Sequence, residues 1–168
     1  MSLLKNPRCC LAVLFLILLV VCGCVIGMTL LTLAGEPNAI RAHLEPDRLT
    51  AAANEQFTVI LNIENVDLDK ATINSIGLDS DITDGATLIS MTPPYRKLQE
   101  RDYPIFGKWT QYTLDQILLG GDKLEISLTF QAGQVGVYSG YVTVWVQNDL
   151  FGVPFEQARR EALRFTVK

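Results

Sequence analysis

The densest run of chemically capable side chains lies between residues 92 and 112, TPPYRKLQERDYPIFGKWTQY. Five aromatic residues (Tyr95, Tyr103, Phe106, Trp109 and Tyr112) fall in these 21 positions, interleaved with Arg96, Lys97, Arg101 and Lys108. Aromatic rings beside guanidinium groups anchor protein interfaces, because both fill desolvated pockets well. Aromatic faces can also stack on sugar rings. Tyr95, Arg96, Arg101, Tyr103, Phe106 and Trp109 are therefore the candidate partner-binding residues, with a protein partner expected and a carbohydrate as the alternative. The competing reading is a long loop folded over a sheet edge, its aromatics buried at the margin of the core.

A second cluster is acidic. Asp79, Asp81 and Asp84 precede Gly85 in LDSDITDG, and hard cations bind clustered oxygen ligands. The spacing departs by one from a calcium loop, and no Glu closes it six residues after Gly85. The trio is thus a weak calcium candidate, set against an ordinary solvated turn. His43 is the single histidine. No nucleophile elbow surrounds any serine, and no spacing suits zinc. The sequence predicts a non-enzyme without a cofactor.

The four cysteines, Cys9, Cys10, Cys22 and Cys24, all lie in or beside an apolar run. Residues 11–34 read LAVLFLILLVVCGCVIGMTLLTLA, without a charged side chain. About 20 apolar residues span a bilayer core as a helix. Lys5 and Arg8 precede the run and Glu36 follows it, so retained positive charge places the N-terminus in the cytoplasm and the rest outside. Two alternatives stay open. Thr32 and Ala34 form a passable signal-peptide cleavage site, and Val21-Cys22-Gly23-Cys24 resembles a bacterial lipobox. Gly23 and Gly27 offer a small-xxx-small helix contact, which would suit an accessory subunit of a membrane complex. The expected division is a cytoplasmic tail at 1–10, a single-pass signal anchor at 11–35, a linker at 36–41 and one domain at 42–168.

Beyond residue 35 the chain carries all 18 acidic residues and 12 of the 14 Lys and Arg, a formal charge of −6. That balance argues against nucleic acid, which needs a basic face. The domain has no cysteine and the chain no Asn-x-Ser/Thr sequon, so a bacterial or archaeal surface protein fits better than an animal receptor ectodomain.

The elements that must position these residues read as strands. Phe57, Val59, Leu61 and Ile63 share one face of FTVILNIE, and LEISLTFQ (residues 124–131) alternates without a break. Period-two alternation marks a strand with one face on a core. Residues 141–147 and 162–168 add two more strands, with weaker candidates at 42–50, 71–78, 86–91 and 108–114. Asp84-Gly85, Gly120-Gly121-Asp122, Gly133–Gly136 and Pro93-Pro94 separate them. Residues 154–161 suggest one helical turn or a short helix. Seven or eight such strands predict an all-β antiparallel sandwich behind one transmembrane helix.

Residues 49–65, LTAAANEQFTVILNIEN, a polar turn followed by an alternating strand that ends in an Asn, resemble the opening of prokaryotic immunoglobulin-like domains, such as bacterial cell-adhesion-related domains. Residues 119–130 and GVYSGYVTV at 136–144 resemble their later strands. On that resemblance Tyr138 takes the position of a tyrosine corner, its hydroxyl closing a turn onto the backbone. The chain departs from the vertebrate type in lacking the two core cysteines, in placing Trp145 on a late strand, and in a long insertion around residues 92–110. The resemblance implies an extracellular, non-catalytic interaction, adhesion or structural module. Fold analogy gives no ligand.

Overall fold

The computed structural model describes residues 23, 37, 39–103, 107–150 and 153–168, and the chain divides into two compact units, Met1–Gly35 and Glu36–Lys168. The predicted anchor at 11–35 falls outside the described residues except for Gly23. Among the described residues no helix is long and apolar enough to cross a membrane.

The second unit is a two-sheet β-sandwich. One sheet has four strands in the order β1-β3-β8-β5: β1 (Ile40–Glu45), β3 (Gln56–Asn65), β8 (Lys123–Ala132) and β5 (Ala86–Thr92). The other has six, in the order β2-β10-β9-β4-β7-β6: β2 (Arg48–Ala51), β10 (Val153–Val167), β9 (Gly136–Leu150), β4 (Ala71–Asp79), β7 (Gly107–Leu118) and β6 (Lys97–Tyr103). Among the described residues ten strands form where seven or eight are predicted. The sandwich is also not wholly antiparallel, because β2 runs parallel to the end of β10.

Five local expectations are corrected. The stretch 42–50, predicted as one strand, splits at Pro46-Asp47 into β1 and β2, which join different sheets. β1 also takes in Ile40 and Arg41, assigned above to the linker. The predicted long loop around 92–110 is largely a hairpin, β6 paired with β7 from Lys97–Thr113 to Tyr103–Gly107. Residues 154–161 are strand, because β9 supplies an antiparallel partner along all of β10. Pro154 is tolerated there since β2 bonds only Arg164–Val167, leaving the proline on an unpaired edge. The expected turn before Gly85 is instead a short helix, α1 (Ser80–Gly85), whose Ile82 is buried in the core.

Period-two alternation explains the core. Val59, Leu61 and Ile63 of β3 and Ile126, Leu128 and Phe130 of β8 point to the same side of their sheet, with Val59 opposite Leu128 and Leu61 opposite Ile126, and all six are buried. From the other sheet Ile73, Ile76, Leu78, Val142, Val144, Val146, Leu163 and Phe165 close the layer. Each such side chain stabilises the fold by about 1.5–3 kcal/mol relative to exposure. An aromatic column crosses between the sheets: Tyr138 stacks on Phe165 at 5.2 Å, Phe165 meets Phe57 at 5.4 Å, and Phe57 stacks on Phe130 at 5.3 Å. The Tyr138 hydroxyl donates to the Gln134 carbonyl at 3.0 Å. Gly85 is required beneath it, since a Cβ there would lie 2.3 Å from the Tyr138 ring.

Candidate interaction surface

The β6–β7 hairpin adds two strands to the edge of β4, and alternation then sends every second side chain to the outer face of the six-stranded sheet. Register pairs Arg101 with Trp109 and Gln99 with Gln111 across β6 and β7. It pairs Trp109 with Asp79, and Gln111 with Gly77, across β7 and β4. From β4 onward, Gly77 meets Thr143 and Ser75 meets Trp145 of β9. Outward-facing residues of four strands thus form one continuous patch.

The patch has an ordered interior. Trp109 and Trp145 stack with ring centroids 6.0 Å apart and planes 26° from parallel. They lean over Gly77, where a Cβ would lie 3.1 Å from Trp145 Nε1 and 3.5 Å from Trp109 Cδ1. Gly77 makes room for the pair. Beside the rings, Gln111 Nε2 donates to Ser75 Oγ at 2.6 Å. Arg101 Nε donates to Gln111 Oε1 at 3.1 Å, and its Nη2 to Gln99 Oε1 at 2.9 Å. Ser75, Gln111 and Thr143 are buried although they lie on the outward face. A buried polar chain with its hydrogen bonds made holds the guanidinium in one orientation, which lowers the entropic cost of using it in a contact.

One margin of the patch is charged. Arg160 lies 6.0 Å above the Tyr141 ring, and Asp79 Oδ2 accepts from the Tyr141 backbone N–H at 3.0 Å. Burial raises the Asp79 pKa above the ordinary carboxylate value. The Tyr141 hydrogen bond and the Arg160 charge oppose that rise, while the Asp81 charge adds to it. Alongside, α1 and the hairpin enclose a shallow groove of ≈ 430 Å³, with Ser80, Thr83, Asp84, Arg101, Lys108 and Trp109 in its walls.

The predicted partner-binding residues are therefore divided. Arg101 and Trp109 meet on the patch. Tyr103 ends β6 opposite Gly107, and Phe106 lies outside the described residues. Tyr95 and Arg96 belong elsewhere: Tyr95 packs edge-on against buried Tyr112 at 5.0 Å, and Arg96 Nη1 reaches Asp115 at 3.5 Å. Burial raises the Tyr112 pKa above its usual value, with Tyr95 adding to the rise. The calcium candidates are also separated by function. Asp79 ends β4 and bonds Tyr141, while Asp81 lies in the first turn of α1. Among the described residues no group of three His, Cys, Asp or Glu side chains is arranged to hold a metal ion. His43 is exposed on β1, 3.4 Å from Glu45.

Sequence reasoning missed Trp145, Gln111, Ser75, Gly77 and Thr143. The alternation of residues 141–147 assigns Tyr141, Thr143, Trp145 and Gln147 to one face, but not to the neighbourhood of a hairpin some 35 residues earlier.

No protein-family model matches the sequence, and no curated protein matches it. Solved structures similar to it include a family 123 glycoside hydrolase from Clostridium perfringens, at 9% identity over 77% of this chain and a TM-score of 0.46. This chain spans only 27% of that enzyme's length. The PapD-like domain 7 of human CEP192 is 12% identical over 80% of this chain and 89% of that one, with a TM-score of 0.40. AggA, the major subunit of aggregative adherence fimbriae from Escherichia coli, is 10% identical over 80% and 99% of the two chains, at a TM-score of 0.40. At these identities and scores the similarity supports no statement about activity or partners.

Proposed function

We propose that this chain is a non-catalytic interaction module: an immunoglobulin-like sandwich tethered to a membrane by residues 11–35, held outside the cytoplasm, and presenting the outer face of its six-stranded sheet to a protein partner. The observation that carries the reading is the stacked Trp109–Trp145 pair beside Arg101, with its buried Gln111–Ser75 support. Half-buried tryptophans and an oriented arginine are the residue types that dominate binding energy at interfaces. A solvated sheet face that needed only solubility would carry ordinary polar side chains there.

The strand order supports the immunoglobulin-like reading. Sheet β1-β3-β8-β5 facing β10-β9-β4 follows the order ABED against G, F and C of that fold. The hairpin departs from it, since β6 and β7 follow β5 in sequence yet join the sheet of β4. The tether is supported by the uncharged run at 11–34, its basic N-terminal flank and the absence of acidic residues before Glu36.

The test uses the full-length chain in its native membrane, with a photo-crosslinking residue at Gln99 or Tyr141 on the patch, or at Glu125 on the opposite sheet. Discrete protein adducts from positions 99 and 141, absent from 125 and weakened by Trp109→Ala, are the expected result. Equal adducts from both sheets, or none from the patch, would reject the surface. Release of the chain by alkaline carbonate would reject the tether. A glycan is the second reading, because the Trp109 and Trp145 rings are only partly buried; binding on a glycan array that is lost in Trp145→Ala would favour it over a protein.

A further inference from the structure

Strand directions divide the sandwich into two ends. At the end where the domain chain begins, Ile40 of β1 pairs with Asn65 at the close of β3, Glu64 pairs with Lys123 at the start of β8, and Ala71 pairs with Leu118 at the close of β7. The β9–β10 hairpin turns at this end too, since Thr72 pairs with Gln147, and beside it lie two loops, residues 66–70 and residues 119–122.

They are packed onto one another. Gly120 lies so close to residues 67 and 68 that a Cβ would stand 2.7 Å from both of their carbonyl oxygens. Asn65 stitches the pair together: its backbone N–H donates to Asp122, its carbonyl accepts from Gly121, and its side-chain amide donates to the carbonyls of Asp69 and Leu118. The Val66 N–H donates to the Ala39 carbonyl at 2.8 Å, which ties the cluster to the first described stretch of the domain.

This well-ordered end exposes apolar side chains. Leu68 is 96% exposed, Leu119 62%, Ile117 61% and Val66 42%. The backbone at Leu68 and Leu119 is fixed by aspartates, since Asp67 Oδ1 accepts from the Leu68 N–H at 2.7 Å and Asp122 Oδ2 from the Leu119 N–H at 2.8 Å. Leaving four large aliphatic groups in water, three on the two mutually braced loops and Ile117 near the end of β7, has a cost, and such patches mark surfaces that are covered in use.

The sequence names the cover. Only residues 35–39 separate the uncharged run from β1, and five residues reach at most about 17 Å. On the tether proposed above, this end is kept within that distance of the bilayer. Headgroup depth is where exposed Leu, Ile and Val side chains on a rigid scaffold gain apolar contact.

We infer that the end of the sandwich where its chain begins is a bilayer-contact surface, with Val66, Leu68, Ile117 and Leu119 seated in the lipid headgroup region. The contact rests on the tether and sets the domain upright. Strand axes then run away from the membrane, and the Trp109–Trp145 face turns sideways toward neighbours in the same membrane. The opposite end supplies an internal control, because Val135 is 72% exposed in the turn between β8 and β9, a strand length of about 33 Å away.

The experiment uses the full-length chain, with Cys9, Cys10, Cys22 and Cys24 replaced by alanine, in phosphatidylcholine nanodiscs. Single spin labels are placed through Leu19→Cys, Leu68→Cys, Leu119→Cys and Val135→Cys, and each is read for collisions with oxygen against a water-soluble nickel chelate. The expected result is a lipid-type signature at Leu19, Leu68 and Leu119, with oxygen-to-nickel ratios several-fold above the aqueous value at Val135. A lipid signature at Leu19 with aqueous signatures at Leu68 and Leu119 overturns the contact and keeps the tether. Labels at 68 and 119 shielded from both reagents mean a protein cover, which also overturns it. An aqueous signature at Leu19 overturns the tether and the contact together.

Discussion

Asn65 shows how much one side chain can hold. It is fully buried, donates from Nδ2 to two carbonyls at 2.8 and 3.1 Å, and accepts the Asp67 N–H at 3.2 Å. Asn65→Ala leaves those backbone groups to find water or remain unpaired. It is expected to lower unfolding free energy by about 2–3 kcal/mol in urea titration, where a change under half of that would show the loops brace themselves. Asp79 makes the opposite kind of contribution. Its folded-state pKa is raised, chiefly by burial, so the folded state binds the proton more tightly than the unfolded chain. Stability from this group is full below the ordinary carboxylate pKa and is lost as pH rises through the raised value. Asp79→Asn keeps an oxygen for the Tyr141 N–H and removes the titration. Its melting temperature relative to the parent should therefore climb as pH rises from about 4 and level off above the raised pKa; a parallel pH profile for the two proteins would contradict the assignment. At this scale the sequence is informative where a residue acts locally. The asparagine closing the first alternating strand and Tyr138 near the start of β9 both stand out by position. The Ser75–Gln111 bond does not, since its partners are 36 residues apart and nothing in either local pattern marks the other.

Among elements, the β6–β7 hairpin matters most, because it converts a stretch with the composition of a binding loop into two more strands of a sheet. The conversion sorts the aromatics by parity. Trp109 goes outward with Arg101, while Tyr112 goes inward against Ile76. A loop reading has no parity and cannot make that distinction, which is why Tyr95 and Trp109 are indistinguishable in the sequence and belong to different surroundings in the fold. If the outward tryptophans act as a unit, their truncations are coupled. A double-mutant cycle with Trp109→Ala and Trp145→Ala should give an interaction of about 0.5–1.5 kcal/mol by chemical denaturation. Strict additivity would show that the stacked geometry contributes nothing of its own. The same logic corrects β10. Residues 154–161 lack helical support from neighbours, and fifteen antiparallel pairs with β9 decide in favour of strand.

For the whole molecule, the domain beginning at Glu36 carries one continuous core between its two sheets. A fragment of residues 36–168 should therefore fold alone, with a β-type far-ultraviolet spectrum and one cooperative transition worth about 5–15 kcal/mol. A helical or featureless spectrum would reject the sandwich. The amino-acid sequence by itself determined most of the strand-forming segments and their buried faces, because alternation with period two is a local consequence of the pleated backbone. It likewise set the acidic balance and the uncharged N-terminal run. Only the tertiary structure decided which strands are neighbours, that Trp145 meets Trp109 over Gly77, and that Val66, Leu68, Ile117 and Leu119 share one end. Those outcomes depend on backbone hydrogen bonds between residues far apart in the chain, and the energy of such pairing is a property of both partners at once.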